Sequence, residues 1–223
     1  MKIHVSDKEI VVYSSSASSS PIVYLNTSEQ EGDQVYRLLQ DMGCPDFTLV
    51  TIGGLDWHHD MTPWEMPPVS KGAPPCTGGA DEYLRLLTEE IVPKAEETVQ
   101  GPVLWRCLAG YSLAGLFAVY SAYQTQIFSR IASMSGSLWF PEFKEYVFSQ
   151  EMKSRPEHLY LSLGDRECRT GNPYLRTVQE RTEEIASYYT RQGIDTLYCL
   201  NPGNHFKNAA RRTAAGIAWI LER

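Results

Sequence analysis

The chain has 223 residues, of which 43% are apolar and 11% aromatic, enough to fill the core of one ordinary domain and too many for a mainly disordered chain. Its 27 acidic and 20 basic side chains give a formal net charge of −7, which disfavours nucleic acid as a partner. No run of about 18 apolar residues occurs, so we expect no membrane-spanning segment and no membrane partner.

The five cysteines are odd in number and form no CxxC pair, which argues against a disulfide framework or a zinc ribbon. We therefore expect reduced thiols. Charged residues interrupt residues 1–13, where a secretory signal peptide needs an unbroken apolar stretch. The predicted compartment is the cytoplasm.

Short β-rich runs alternate with helical patterns along the chain. The predicted strands are residues 8–14, 21–26, 46–52, 102–110, 130–135, 158–164 and 195–201. Apolar residues at helical spacing predict helices at residues 34–42, 81–99, 113–123, 178–190 and 209–221, with a possible kink at Pro93. This alternation predicts one α/β domain over residues 1–223, with a mostly parallel central sheet and helices on both faces.

Two segments between the predicted elements bear on access to a site. Residues 53–79 are predicted to form one extended loop, and residues 135–158 leave little room for a lid domain. Ligands of open α/β sheets bind beyond the carboxyl ends of the strands, so the residues that follow each predicted strand are the candidates for function.

Residues 109–115, AGYSLAG, lie between a predicted strand and a predicted helix. A serine whose hydroxyl stands clear of the backbone needs a sharp strand-to-helix turn, which tolerates only small residues two positions to either side. Gly110 and Ala114 meet this requirement around Ser112, although the second glycine of the common GxSxG signature falls one position later, at Gly115. Ser112 is therefore the predicted nucleophile. The alternative is a serine that only caps the helix.

His205 is the predicted general base for Ser112, because a serine hydroxyl is a weak nucleophile without one. It follows the last predicted strand in LNPGNHF, where Pro202 and Gly203 make a turn that can bring the imidazole over the strand ends. His158 instead opens a strand, at the opposite edge of the sheet. The alternative for His205 is an ordinary surface-loop histidine.

The acid that orients the base is expected at the end of an intervening strand. The segment LSLGDRECR offers Asp165 and Glu167 directly after Gly164. Spacing alone does not rank the two carboxylates. If neither points inward, both are ordinary turn charges.

Backbone N–H groups are expected to bind the oxyanion that forms during acyl transfer. Leu113, the residue after the nucleophile, supplies one candidate. The second is predicted in the loop after the strand at 21–26, at Thr27 or its neighbour Ser28. Asn26 offers a side-chain amide there, although an asparagine at a strand end is more often a turn residue.

The segment DWHHDMTPW, residues 56–64, lies in the long predicted loop. We predict that Trp57 and Trp64 wall a substrate pocket, with Trp139 approaching from the next strand end and Tyr111 beside the nucleophile. Packing of these rings into the core is the alternative.

The same segment contains His58, His59 and Asp60, whose residue types suggest a metal. Adjacent residues of an extended chain point to opposite sides, and no helical HxxxH pair accompanies them. We therefore predict no metal, and no organic cofactor is implied.

Taken together, the motifs GYSLAGLFAVY, DWHHDMTPW with GGADEYLRLLTEEIVP, LSLGDRE and PGNHF resemble the α/β-hydrolases. Within them the chain is similar to the esterase D-like branch, which includes siderophore esterases and feruloyl-type esterases, and the resemblance spans nearly the whole chain. In this branch the acid stands three residues after the turn glycine. The resemblance thus favours Glu167 over Asp165, a glutamate where many relatives have aspartate.

The sequence predicts a serine hydrolase that cleaves a small-molecule carboxylic ester through an acyl-enzyme. In this hypothesis Ser112 attacks, His205 transfers the proton and Glu167 orients the imidazole. One alternative is a fold that binds ligand without turnover. Another is a peptidase or acyltransferase that uses the same triad. The sequence identifies neither the natural substrate nor the oligomeric state.

Overall fold

A central sheet of eight strands organises the computed structural model, which describes residues 1–28, 31–153 and 155–223. The strands of the chain are Lys2–Val5 (β1), Lys8–Tyr13 (β2), Ser20–Asn26 (β3), Thr48–Gly53 (β4), Glu65–Met66 (β5), Cys76–Thr77 (β6), Val103–Tyr111 (β7), Arg130–Met134 (β8), His158–Gly164 (β9) and Asp195–Asn201 (β10). Their order in the large sheet is β1-β2-β4-β3-β7-β8-β9-β10, while β5 and β6 pair separately. The six strands from β4 to β10 in that order run parallel to one another. Strand β2 runs antiparallel to both of its neighbours, β1 and β4.

Helices cover both faces of this sheet, as predicted. They span Glu31–Asp41 (α1), Trp57–Asp60 (α2), Ala80–Leu86 (α3), Val92–Glu96 (α4), Leu113–Gln124 (α5), Phe143–Ser149 (α6), Val178–Arg191 (α7) and Ala209–Leu221 (α8). Helices α1 and α8 pack on one face, and the core on the other face includes residues of α3 to α7. This double cover explains why every residue of β3 and β8 is buried.

The parallel strands end at one edge of the sheet, and that edge holds the candidate residues. Asn26, Gly110 and Ser133 lie in register on β3, β7 and β8, and Gly164 pairs with Asn201 on β9 and β10. His158 lies at the opposite edge, where its Nδ1 is 2.8 Å from a carboxylate oxygen of Asp195. The prediction that His158 lies at the opposite edge of the sheet is therefore confirmed.

The amino-terminal strand prediction was incomplete, because a hairpin of β1 and β2 stands where one strand was expected. Its turn includes Ser6 in a left-handed conformation with φ of 52°. The missed strand β1 has only four residues and alternating exposure, which is typical of a short, charged edge strand.

Residues 53–79 are not one extended loop, which corrects the prediction. They contain α2 and the two-stranded sheet of β5 and β6. A buried ion pair fixes this segment to the hairpin: Lys8 Nζ lies 2.9 Å from Asp60 and also donates to the carbonyl of Gly54. Burial alone lowers the pKa of Lys8, but hydrogen bonds to Asp60 and Asp7 raise it above its ordinary value.

The helix predicted at 81–99 contains a change of helix type. A π-helical stretch, Leu87–Ile91, joins α3 to α4 without a break, and Pro93 lies in the first turn of α4. Proline has no N–H to donate and its ring crowds the carbonyl four residues earlier, so the wider π turn before it accommodates the ring. Pro93 therefore alters the helix instead of ending it.

The segment between β8 and β9 contains the short helix α6, which periodicity did not predict. Apart from this helix, the described residues of that segment form turns and irregular chain, so the fold has no large lid domain there. Among the described residues, none of the helices has the length and apolar character needed to span a membrane.

We expect Lys8→Met to lower the free energy of unfolding by about 3–5 kcal/mol, because the substitution leaves the buried Asp60 carboxylate without its cation. Urea denaturation measures the change. Lys2→Met is the matched control, since Lys2 pairs with Glu9 at the surface and its loss costs at most about 1 kcal/mol. Equal losses in the two variants would contradict a stabilising role for the buried pair.

Candidate active site

Ser112 occupies a strained turn between β7 and α5. Its backbone has φ of 59° and ψ of −122°, a conformation that non-glycine residues rarely adopt and that points the side chain away from the helix. Its hydroxyl forms no helix-capping hydrogen bond, which excludes the simple helix cap considered from the sequence. Hydrogen bonds stabilise this strained conformation: the Ser112 carbonyl accepts from the backbone amides of Gly115, Leu116 and Ser137.

Small residues make the turn possible, as the motif predicts. A Cβ at Gly110 would lie 2.3 Å from the carbonyl oxygen of Ala114, so no larger residue fits there without a shift of backbone. Gly115 is also needed, because a Cβ there would lie 2.8 Å from the hydroxyl of Ser133 and 2.9 Å from Gly136. The displaced second glycine of the motif thus serves the contact of α5 with β8.

His205 lies beside Ser112, although 93 residues separate them in the chain. Its Nε2 is 3.0 Å from Ser112 Oγ, and its Nδ1 is 2.7 Å from Glu167 Oε2. The loop after β10 carries His205 over the sheet edge, and Tyr111 at the end of β7 donates its phenol proton to the His205 carbonyl. An ionised Glu167 only accepts, so Nδ1 carries the imidazole proton and Nε2 accepts from Ser112.

Glu167 is buried, and both of its oxygens are occupied. While Oε2 faces His205, Oε1 accepts from the Gly164 amide at 2.6 Å, from Ser135 Oγ at 2.7 Å and from Arg212 Nη1 at 3.1 Å. Burial alone raises the pKa of the Glu167 carboxyl, but the hydrogen bonds from His205 and Ser135 outweigh it and bring the pKa below its ordinary value. The carboxylate is therefore ionised at neutral pH.

Asp165, the other carboxylate considered from the sequence, has a different position. Its Oδ1 accepts from the Gly203 amide at 2.8 Å, and its own amide donates to Asn201. The Asp165 side chain thus braces the loop that carries His205 and does not contact the imidazole. Of the two carboxylates that spacing left open, Glu167 is thus the one within hydrogen-bond distance of His205.

The two predicted oxyanion donors differ in availability. Leu113 is the first residue of α5, so its N–H has no partner inside the helix. The Thr27 amide, in contrast, donates to the carbonyl of Ile52 at 2.9 Å, which corrects its assignment as a free donor. Ser28, the neighbour named with Thr27, is exposed and becomes the candidate for the second N–H.

Asn26 is buried at the carboxyl end of β3 and is more than a turn residue. Its Oδ1 accepts from the Tyr83 hydroxyl at 2.6 Å. Its Nδ2 has no hydrogen-bond partner among the described residues.

A small cavity of about 150 Å³ opens beside the Ser112 hydroxyl. Its walls are largely apolar and include Trp139, Leu175, Val178 and Phe206. Phe206 is 85% exposed, so its ring forms part of the open rim. The space beside Ser112 is thus small and bounded mainly by apolar side chains.

Residues 11–209 match the model of a protein family described as "Putative esterase". The chain belongs to this esterase family. Uncharacterized protein YbbA of Bacillus subtilis (strain 168) is 23% identical over 220 residues, which cover 93% of the esterase and 88% of YbbA.

Two solved structures share the fold of the esterase. An IroE-like serine hydrolase from Shewanella oneidensis has 21% identity and a TM-score of 0.81, over 96% of this chain and 76% of its own. The siderophore hydrolase EstA from Aspergillus nidulans also has 21% identity, with a TM-score of 0.72, over 96% of this chain and 90% of its own. The resemblance to the α/β-hydrolase branch that includes siderophore esterases is thus confirmed for the fold.

Of the four side chains predicted to bind substrate, Trp139 lines the cavity of the esterase. Trp64 does not: its ring packs among Phe140, Phe143 and Tyr146, and its indole N–H donates to the carbonyl of Pro141. An aromatic residue in a polar segment carries no sequence signal for the direction of its ring, so the core alternative holds for Trp64.

Trp57 and Tyr111 also lie outside the lining of the cavity. Trp57 begins α2 and packs, partly buried, against the main core. Tyr111 instead contacts His205: its hydroxyl donates to the His205 carbonyl, and its ring centroid is 5.3 Å from that of the imidazole.

The paired histidines of α2 are held by local contacts. His59 Nδ1 is 2.7 Å from Thr77 Oγ1, and its ring packs so tightly on Gly79 that a Cβ there would lie 2.2 Å from Nε2. Within the described ranges no group of three or more histidine, cysteine or acidic side chains has the geometry to bind a metal. All five cysteines are unpaired.

Sequence reasoning missed Arg212, which contacts Glu167 from the first turn of α8. The apolar spacing that predicts α8 says nothing about a basic residue between its apolar positions. Arg211, the preceding residue of the same helix, is exposed while Arg212 is buried, so tertiary contacts decide the difference.

We expect Trp139→Ala to enlarge the cavity and to raise the kcat/KM of p-nitrophenyl hexanoate relative to the acetate about tenfold, since a methylene or two in a pocket is worth about 1–3 kcal/mol. Trp64→Ala is the control: it should lower stability by about 3–5 kcal/mol through loss of core packing and leave this ratio unchanged. Steady-state kinetics and urea denaturation measure both. A change of ratio in Trp64→Ala as large as in Trp139→Ala would return Trp64 to the pocket.

Proposed function

We propose that this esterase hydrolyses small carboxylic esters through an acyl-enzyme on Ser112, with His205 as general base and acid and Glu167 as the orienting acid. The observation that carries the proposal is the continuous hydrogen-bonded line from Ser112 Oγ through the His205 ring to Glu167 Oε2, at 3.0 and 2.7 Å. Both distances lie within the reach that proton transfer requires.

In the acylation step Ser112 Oγ attacks the ester carbonyl carbon while His205 Nε2 takes the hydroxyl proton. The tetrahedral intermediate places negative charge on the former carbonyl oxygen, and the amides of Leu113 and Ser28 would donate to it. When the intermediate collapses, the carbon–oxygen bond of the alcohol breaks and the imidazolium protonates the leaving alkoxide. Glu167 stabilises the positive imidazolium in the interval.

Deacylation repeats these steps with water as the nucleophile. His205 Nε2 removes a proton from water, the resulting hydroxide attacks the acyl carbon, and the imidazolium returns the proton to Ser112 Oγ as the carboxylic acid leaves. The open rim formed by Phe206 gives water access to this step. Hydrolysis is therefore the proposed outcome.

The size of the cavity limits the group held beside Ser112. A space of about 150 Å³ with apolar walls suits a short acyl chain or one aromatic ring, and it is too small for a long lipid chain. We accordingly propose a small-molecule ester as substrate, with no nucleic acid or membrane partner. The five unpaired thiols fit a reducing compartment, which supports a cytoplasmic location.

The first test separates an enzyme from a binding module. We expect the full chain to react with a fluorophosphonate probe and to hydrolyse p-nitrophenyl acetate, and we expect Ser112→Ala to abolish both. Ser137→Ala is the control, because its hydroxyl lines the same cavity but does not contact His205. A folded wild-type chain that neither reacts with the probe nor turns over esters would overturn the proposal in favour of binding without turnover.

The second test concerns the acid. Glu167→Gln should lower kcat by up to ~10⁴-fold, because an amide at this position no longer holds the imidazole in the required tautomer. Asp165→Asn should lower kcat by no more than about tenfold, since Asp165 only braces the loop through the Gly203 amide. Steady-state kinetics on p-nitrophenyl acetate measures both variants, and the reverse ranking would move the acid role to Asp165.

A further inference from the structure

A second charged group, Arg212, contacts the acid of the proposed triad. Its side chain is 4% exposed, as is that of Glu167, and the two form a buried ion pair at 3.1 Å. Arg212 belongs to α8, on the opposite side of the sheet from α5, the helix that follows Ser112. The guanidinium must therefore reach past the sheet edge to contact the acid.

The guanidinium contacts several parts of the machinery at once. Arg212 Nη1 also lies 3.3 Å from Ser135 Oγ and 3.4 Å from the Tyr111 hydroxyl, and Nη2 donates to the carbonyl of Pro202 at 3.2 Å. Pro202 begins the loop that carries the base. Arg212 thus joins Glu167 in the turn after β9, the end of β7 and the loop after β10.

The backbone leaves a space for this group. A Cβ at Gly164 would lie 2.9 and 3.0 Å from the two terminal guanidinium nitrogens and 2.3 Å from the carbonyl of Gly203. Glycine at this position is therefore what allows the guanidinium to lie between β9 and the loop of the base. The fit indicates a dedicated position for the arginine, unlike a surface arginine that folds inward.

The contact has an electrostatic consequence. In a triad the negative acid favours the protonated form of its imidazole. A permanent cation on the other oxygen of Glu167 opposes that effect, because the guanidinium stays charged at every working pH. The two oxygens of one carboxylate thus face two positive groups that repel each other: His205 when it is protonated, and Arg212 always.

We propose that Arg212 is a positioning residue of the triad, which anchors Glu167 and the His205 loop and extends ester hydrolysis to lower pH by opposing protonation of the imidazole. This inference rests on the proposed role of Ser112, His205 and Glu167. It assigns Arg212 no contact with the substrate.

The other ionisable groups around the pair do not replace this cation. Those that face it or its immediate neighbours are Tyr111, Tyr160, Asp165, Arg166, Cys168, Glu183, Tyr198, Cys199 and Lys207. Burial raises the pKa of Tyr160 to about 12 and also raises the pKa of Tyr111, so both phenols are neutral in the working range. Asp165 and Arg166 lie 3.9 Å apart and are both exposed, so solvent screens them.

The test is the dependence of kcat/KM on pH, measured between pH 4.5 and 9 with p-nitrophenyl acetate. In Arg212→Gln, which keeps a donor but removes the charge, the acid limb of the profile should move up by about one pH unit, since loss of a nearby like charge favours the protonated imidazole. One pH unit below the midpoint of that limb, the kcat/KM of the variant should be about tenfold lower than at its own plateau. Arg212→Lys keeps the charge, so at least half of the shift should be reversed.

Arg130→Gln is the matched control. Arg130 is also buried, donates to the carbonyl of Ile220 and stacks on Trp105, far from the triad in its contacts. Its loss should reduce stability without moving the acid limb. Arg212→Met, which preserves the apolar stem, replaces Arg212→Gln if the latter does not fold, and the expected shift is the same.

The outcomes separate this inference from the proposed function. If Ser112→Ala abolishes activity but a folded neutral Arg212 variant keeps the wild-type acid limb and only loses stability, as Arg130→Gln does, Arg212 is structural and the inference is wrong. If activity survives Ser112→Ala, the proposed function fails and the inference fails with it. An acid limb that moves to lower pH in Arg212→Gln would also overturn the inference, because removal of the cation would then disfavour the protonated imidazole.

Discussion

The hydrogen bond between Ser112 and His205 is the contact on which the site depends, because each partner reaches it only through a constrained piece of backbone. Ser112 projects its hydroxyl from a conformation with positive φ that Gly110 and Ala114 make sterically possible. His205 arrives on a loop after β10, 93 residues later. The parallel strands bring both to one edge, since all their carboxyl ends lie there. The fold is therefore the means by which two distant residues meet at 3.0 Å.

Two buried ion pairs secure the segments around that edge. Lys8 and Asp60 tie the amino-terminal hairpin to the segment after β4, and Arg212 and Glu167 tie α8 to the turn after β9. In each pair, both side chains make further hydrogen bonds, which help a buried charge to be tolerated. The two pairs differ in position, because only the carboxylate of the second pair, Glu167, also contacts the His205 imidazole.

The sequence predicted the elements whose signal is local or whose order is dictated by chemistry. The mostly parallel sheet followed from apolar runs. Ser112 and His205 followed as candidates from the small residues around the serine and the expected order of nucleophile, acid and base, whereas Glu167 was favoured over Asp165 only by the resemblance to the esterase D-like branch. The direction of the rings of Trp64 and Tyr111 did not follow, since it is decided by tertiary neighbours such as Phe143 that lie far away in sequence.

The sequence also did not predict which partners the backbone amides and buried side chains bind. The Thr27 amide is occupied by Ile52 because β3 and β4 are adjacent, a pairing that no local pattern encodes. The same holds for Arg212, whose partner lies 45 residues earlier in the chain. Sequence patterns thus located the residues at the sheet edge, whereas the hydrogen-bond partners of each residue depended on contacts between strands and helices that are distant in sequence.

The path of the chain through α8 has a consequence for biogenesis. The strained serine turn and the strand before it belong to the middle of the polypeptide, whereas the loop of His205 is anchored by a guanidinium from a helix that leaves the ribosome later. A nascent chain can therefore complete the turn of Ser112 before Arg212 is available to hold Glu167 and the loop of His205. These contacts form only when α8 docks, so the final arrangement of the candidate site depends on the docking of that helix.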